Sequence, residues 1–321
     1  MSIRIGIVGY GNLGKGVEIG ISQRPDMELV GIFTRRDMKD TGDVKFYNYK
    51  DILEFKDKID VLILCGGSAN DIPEQAPFLA EHFNTVDSYD NHNKIPEYFE
   101  KINSITTENK KTSVISSGWD PGLFSINRVL AESILPSGET YTFWGRGVSQ
   151  GHSDAVRRVE GVAAAAQYTI PNTELIENIK AGHSVKYTGH SAHKRHCYVV
   201  LEEGANAEKV RDAIVNMPDY FVGYETKVDF ISMEEYEAHH KGMPHGGVVI
   251  RRGYTDDEHM SIYEFSLELA SNPEFTAAVS LAYARACYNL HANGEYGAKT
   301  VLDIPLRYLS PKPYDELLKM I

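Results

Sequence analysis

The stretch IRIGIVGYGNLGKGVE, residues 3 to 18, constrains the fold more than any other. Ile3–Val8 reads as a strand, and Gly9, Gly11 and Gly14 follow it in G-x-G-x-x-G spacing as a helical pattern begins. Strand, glycine turn and helix in that order open a parallel sheet that cradles a dinucleotide. Gly9 permits the tight turn, Gly11 lets the backbone approach a pyrophosphate, and Gly14 allows the helix to pack close to the strand. Tyr10, Asn12 and Leu13 complete the loop. The helix start adds unpaired N–H groups and a positive dipole end for the phosphates. A glycine turn of purely structural origin would have the same letters. Its place at the head of an alternating lobe favours the cofactor.

That alternation continues. Leu29–Phe33, Val61–Cys65, Thr85–Val86 and Ser113–Ile115 read as further strands, separated by IPEQAPFLAEHF and IPEYFEKINSI. Each of these segments has a Pro near its start, where a helix tolerates it. The expected class is therefore α/β: a Rossmann-type doubly wound parallel sheet over residues 1–118, completed by 295–321. After GWDPG the pattern changes. Phe124–Leu135 has helical spacing, and YTFWGRG, HCYVVLE, YFVGYETKVDFIS, GGVVIRR and MSIYEFSLEL read as strands with one face on a core. Residues 119–294 are expected to form a second α+β lobe of mixed or antiparallel sheet that binds substrate. That lobe would include a long helix, Pro273–His291, ended by Gly294.

At 321 residues the chain suits two lobes. Lys+Arg 33 against Asp+Glu 45 gives a net charge of −12, which argues against a general affinity for nucleic acid or anionic membrane. No apolar run approaches a membrane span, and MSIRIGIVGY lacks the features of a signal peptide. Cys65, Cys197 and Cys287 lie far apart with no CxxC, so a cytoplasmic, reduced protein without a thiolate metal site is expected. His190, His193 and His196 recur every third residue but have no acidic cluster with them, and they are read as surface or packing histidines.

The second strand ends in Thr34-Arg35-Arg36, where an NAD site would usually place an acid for the ribose 2′-hydroxyl. Two planar guanidiniums and a hydroxyl suit a 2′-phosphate, so NADP is the expected cofactor. Cys65, Gly66, Gly67 and Ser68 end the next strand with small residues, leaving room for the nicotinamide side. Cys65 is read as a packed residue with no basic partner to activate it.

Ligands bind at the carboxyl ends of strands in such sheets. Two acids sit there: Asp90 in VDSYDNH and Asp120 in SSGWDPG. Either alone could be a helix cap. Together they suggest paired carboxylates holding a cationic substrate group, with Ser88, Tyr89, Ser117, Gly118, Trp119 and Pro121 placed against the cofactor.

GYGNLGKGVE, FTRRD, DIPEQAPF, VDSYDNH, SGWDPGLFSINRV, TFWGRGVSQGHSDAVRR, HKRHCYVV, MPDYFVGYE, GMPHGGVVI and NPEFTA together resemble the meso-diaminopimelate dehydrogenase family over nearly the whole chain. The resemblance implies a homodimeric, NADP-dependent enzyme of lysine biosynthesis, with the second lobe also the dimerisation domain. Such enzymes oxidatively deaminate the D-centre of meso-2,6-diaminopimelate, and run the reverse reductive amination. By that resemblance Asp90 and Asp120 lie near the reacting D-centre, and Trp144, Ser149, Gln150 and Gly151 line the pocket. Thr169, Arg195, His245 and Asn272 would hold the distal L-centre. Two other readings remain: a dehydrogenase or reductase of a related amino-dicarboxylate of aspartate or dihydrodipicolinate type, and a non-catalytic NADP-binding module.

Overall fold

The structure, a computed structural model, describes residues 2–321. The chain divides into two compact units, 1–126 with 273–321 and 127–272.

The first unit begins with β1 (Ile3–Val8), α1 (Asn12–Ser22), β2 (Met27–Thr34), β3 (Phe46–Asn48), β4 (Val61–Leu64) and α2 (Asp71–Ala80). It continues through β5 (Thr85–Asp87), α3 (Ile95–Glu108), β6 (Thr112–Val114) and the start of α4 (Leu123–Ile134). β1 and β4 are buried on both faces apart from Arg4, as a strand covered by helices on each side should be. Every pairing in this sheet is parallel.

In the second unit, β7 (Ser137–Trp144) and β8 (Gly147–Val148) lead to α5 (Gln150–Arg157) and β9 (Val162–Pro171). Then come α6 (Thr173–Lys180), α7 (Gly189–Ala192), β10 (His193–Leu201), α8 (Ala207–Val215), β11 (Thr226–Phe230) and α9 (Met233–His239). The paired strands β12 (His245–Tyr254) and β13 (Met260–Leu269) close the unit. A four-stranded sheet of order β11-β10-β9-β8 is mixed, because β11 runs parallel to β10. A three-stranded sheet of order β13-β12-β7 is antiparallel throughout.

The chain then returns to the first unit with α10 (Asn272–Ala292), β14 (Gly297–Lys299) and α11 (Tyr314–Leu318). The full seven-stranded order is β3-β2-β1-β4-β5-β6-β14, with β14 pairing in parallel beside β6. Helix α10 departs from the expectation that placed it, to residue 294, in the second lobe. Ala277, Leu281, Tyr283, Ala284, Cys287 and Leu290 pack into the same core as Ile5, Ile7, Ile32 and Ile63. Arg285, 6% exposed, grips Asp26 with two bonds of 2.6 and 3.0 Å, so a sequence separation of 259 residues closes on one charge pair. The guanidinium holds the Asp26 carboxyl below its ordinary range.

Candidate functional site

The three glycines of the first turn meet three different constraints. Gly9 has φ +93°, which favours a residue without a side chain. A Cβ on Gly14 would lie 2.3 Å from the Gly9 carbonyl oxygen, so helix and turn touch only because it is absent. At Gly11 a Cβ would meet nothing within 4 Å. That open face stands at the N-terminus of α1, where no side chain caps the helix and the first turn carries no acid. Exposed donors beside free space are what a pyrophosphate requires. These residues fit a dinucleotide.

Gly9, Tyr10, Gly11, Thr34, Arg35 and Arg36 share one cavity of about 350 Å³ with Cys65, Gly66 and Gly67. Arg36 donates from its side chain to the Tyr10 carbonyl, and its main-chain N–H donates to Thr34 Oγ1 at 3.1 Å. Asn12 and Leu13 form the first turn of α1. Burial pushes the Cys65 thiol well above its ordinary range, which keeps it protonated and unreactive. Sequence reading missed Asp71, the first residue of α2. Its Oδ1 binds Arg35 Nη2 at 2.5 Å and its Oδ2 accepts from the Gly67 N–H at 3.1 Å, so one carboxylate joins the arginine to the loop after β4.

Asp90 is exposed, and its N–H donates to Ser68 Oγ at 3.3 Å. It caps nothing: the short 3-10 turn that follows has Asn91 at its N-cap, and α3 has Lys94. Ser68 and Tyr89 line a second cavity of about 230 Å³, and Ser88 is half-buried. Asp120 lies in a loop closed by its own backbone. The Gly118 N–H donates to the Pro121 carbonyl at 2.9 Å, and Gly118 and Trp119 accept from Leu123 and Phe124, at 3.1 and 2.8 Å, at the start of α4. Main-chain carbonyls thus meet those two helix donors. Trp119 is buried edge-on against Phe124, and Ser117 is fully enclosed.

Asp87, three residues before Asp90, also escaped sequence reading. It is 1% exposed and accepts the Tyr98 hydroxyl on Oδ2 at 2.6 Å. Its Oδ1 accepts the N–H groups of Tyr89 and Ser116, each at 3.0 Å. Its main-chain oxygen takes the Ser117 N–H at 2.8 Å and the Ser117 hydroxyl at 2.9 Å.

In the second unit, antiparallel pairing of β9 with β10 sets Thr169 opposite Arg195, and Arg195 Nη1 donates to Thr169 Oγ1 at 2.7 Å. The Arg195 guanidinium lies 4.1 Å over the Tyr224 ring and its Nε is buried without a partner. Among the described residues Arg195 forms no ion pair, although the residue is only 9% exposed. Burial lowers its pKa, and nearby His152 and His193, mainly through burial and then through this cation, are each pushed down to about 4. A desolvated guanidinium with spare donors is built to receive an anion.

Ser149, at the start of α5, shares a 2.7 Å hydrogen bond with His152 Nδ1. Trp144 is 40% exposed; its main-chain N–H donates to His193 Nε2 at 3.0 Å and its ring lies against the same imidazole. Gln150 Nε2 reaches Met243 Sδ at 2.8 Å, and the Asn272 N–H donates to the Met243 carbonyl, also at 2.8 Å. Met243, unremarked in the sequence, therefore gathers two of the expected residues. A Cβ on Gly151 would meet nothing within 4 Å. His245 lines a cavity of about 700 Å³ that includes neither Thr169 nor Arg195, and its Nδ1 accepts its neighbour's Gly246 N–H at 2.8 Å. His190 packs on Tyr224 and His196 binds Asp229. Among the described residues no group of three or more His, Cys, Asp or Glu side chains could hold a metal ion.

The sheet order and the glycine turn define a dinucleotide-binding protein of Rossmann class, extended by an α+β unit with a buried cation. Residues 118–271 match the family model described as "Diaminopimelic acid dehydrogenase C-terminal domain". The chain is 56% identical over 320 residues to the meso-diaminopimelate D-dehydrogenase of Ureibacillus thermosphaericus, covering 99% of this chain and 98% of that one. Among solved structures it resembles a mutant meso-dapdh of Clostridium tetani E88 with DAP, at TM-score 0.92 and 52% identity over 100% of both chains. It also resembles an engineered D-amino acid dehydrogenase bound to NADP+, at TM-score 0.86 and 44% identity over 99% of each. The chain belongs to the diaminopimelate dehydrogenase family.

Proposed function

We propose that the chain is an NADP-dependent meso-2,6-diaminopimelate D-dehydrogenase. It oxidatively deaminates the D-centre to L-2-amino-6-oxopimelate and ammonia, and runs the reverse reductive amination, in lysine biosynthesis. The observation that carries this reading is Arg195, a buried guanidinium beside Thr169 that has no carboxylate partner among the described residues. An amino acid whose reacting end is elsewhere still presents a distal carboxylate to such a group. Bound NADP+ supplies the hydride acceptor. Gly9–Gly14 would hold its pyrophosphate and Thr34, Arg35 and Arg36 its 2′-phosphate, with Cys65–Ser68, Ser88–Asp90 and Ser117–Pro121 toward the nicotinamide.

Loss of hydride from the amine-bearing carbon requires a neutral amine and creates positive charge on the nascent imine. Asp90 and Asp120 orient the amine and stabilise that charge, and water then adds to the imine carbon. Trp144, Ser149, Gln150 and Gly151 line the pocket. Thr169, Arg195, His245 and Asn272 fix the distal L-centre, because choosing between two centres on a symmetric carbon chain takes several anchored contacts. The protein acts as a homodimer in the cytoplasm; none of its helices is long and apolar enough to cross a membrane, among the described residues.

The test is NADP+ reduction with meso-, LL- and DD-diaminopimelate, D- and L-alanine and aspartate at alkaline pH. Turnover confined to the meso isomer is expected. Turnover of aspartate would replace the reading with a related dehydrogenase, and none with any of them would leave a non-catalytic nucleotide-binding module.

A further inference from the structure

Asp87 occupies the point where the two acid-bearing loops of the first unit meet. It ends β5, and its carboxylate binds forward to Tyr89, one residue before Asp90. The same Oδ1 binds across to Ser116, and the main-chain oxygen to Ser117, at the root of the Gly118–Gly122 loop that carries Asp120. Ser116 has φ +54°, a left-handed conformation that a non-glycine residue keeps only where its surroundings impose it. Its own hydroxyl is buried with no partner, so its N–H bond to Asp87 is the hold on that backbone. Downstream, the Gly118–Pro121 bond closes the loop, and a Cβ on Gly122 would lie 1.7 Å from the Gly118 oxygen. A displacement at Ser116 therefore passes into the Asp120 loop with little slack to absorb it.

A buried carboxylate is an expensive way to join two strand ends, since apolar residues of similar size usually stabilise as well or better. Among the described residues no cation offsets Asp87; its carboxylate is met by one hydroxyl and two N–H donors. Burial raises its pKa, and Tyr98, also raised well above its ordinary value, stays a donor. What such a group supplies is geometry: one rigid acceptor fixes two loops relative to each other.

We infer that Asp87 is a positioning residue that holds Asp90 and Asp120 in register for the reaction, an inference that rests on the roles proposed for those two acids. It touches neither substrate nor cofactor, and it acts through the Tyr89 and Ser116 main chain.

The experiment compares Asp87→Ala, Asp87→Asn, Asp90→Asn and Asp120→Asn, with Asp87→Ala also built into the Asp120→Asn background. Each full-length variant is assayed for kcat and KM with meso-diaminopimelate, for NADP+ Kd and for thermal midpoint. A misplacement of about 1 Å costs roughly 100-fold in rate, so Asp87→Ala is expected to lower kcat by about that factor. NADP+ Kd should move less than about 3-fold, because the pyrophosphate and 2′-phosphate groups lie on other loops. Asp87→Asn retains an oxygen for both N–H groups and should recover most of kcat. In the Asp120→Asn background the alanine change should cost less than about 3-fold more, because there is no longer a placed carboxylate to lose. Should the alanine variant fail to fold, Asp87→Ser, whose hydroxyl is too short to span both loops, takes its place. Multiplying losses in the double variant, or wild-type kcat in Asp87→Ala while Asp120→Asn is impaired, would overturn the positioning role alone. Wild-type kcat in both Asp90→Asn and Asp120→Asn would remove the proposed acid pair, and this inference with it.

Discussion

Replacing Arg35 and Arg36 together with alanine should separate NADP+ from NAD+. The Arg35 side chain is 64% exposed and already bonded to Asp71 at 2.5 Å. A charge-assisted bond to phosphate contributes about 1.5–3 kcal/mol, and exposure and screening push it toward the low end. Recruiting Arg35 also surrenders an exposed ion pair of about 0.2–1 kcal/mol. The net is about 1–1.5 kcal/mol per arginine and about 2–3 kcal/mol for the pair. At about 1.4 kcal/mol per tenfold, NADP+ Kd should rise roughly 30- to 150-fold, while NAD+ Kd changes less than about 3-fold. Titration calorimetry at two salt concentrations reads both, and the salt dependence of NADP+ binding should flatten in the variant. Asp71→Asn is the complementary change. It keeps an acceptor for the Gly67 N–H, frees Arg35, and should tighten NADP+ by about 2- to 5-fold at low salt. Equal weakening of both dinucleotides in the arginine variant would refute the reasoning, because the guanidiniums would then not distinguish the 2′-phosphate.

Arg195→Met should raise KM for meso-diaminopimelate at least about 10-fold, the loss of one charged hydrogen-bonded contact, and admit D-amino acids without a distal carboxylate; steady-state kinetics with D-alanine checks it. Gly14→Ala places a Cβ 2.3 Å from the Gly9 oxygen, so a destabilisation on the order of 1–3 kcal/mol with weakened NADP+ binding is expected, seen as a lower thermal midpoint and a higher Kd. Acid should destabilise the second unit through His152 and His193, whose folded pKa values are lowered from 6.5 to about 4. Between those values the unfolded chain binds more protons, so stability present at neutral pH falls as pH drops below 6.5 and the loss is complete near 4, on the order of 3 kcal/mol for each histidine. Denaturant unfolding of the wild type against a His152→Gln variant measures it, and an unchanged pH slope would remove His152 from the account.

What could be read ahead of the structure was what is local in the chain. The Gly9–Gly14 turn, the Thr34-Arg35-Arg36 strand end and the alternating strands carry their meaning in adjacent letters, because turn sterics and sheet burial act over a few residues. Arg195 beside Thr169 was not legible from spacing, since an antiparallel register brings them together; only the family resemblance placed both. Helix α10 was recognised as a helix and assigned to the wrong unit. Its residues are buried on nearly every face, and an all-round apolar helix announces burial without saying against what. Asp87 and Asp90 both stand at the end of a strand, and nothing in VDSYD says which carboxylate is enclosed by three donors.

The first unit is drawn from two ends of the chain, with α10 and β14 supplied only after the whole second unit. A ribosome that has finished residues 1–272 has delivered a continuous second unit and six strands of an unfinished first one. Ile5, Ile7 and Ile63 then lack the Leu281 and Tyr283 that complete their cluster, and Asp26 has no Arg285. Folding of the nucleotide-binding unit is thereby deferred until residues 273–299 have been made, and in the interval before they arrive its unfinished apolar face is exposed to aggregation.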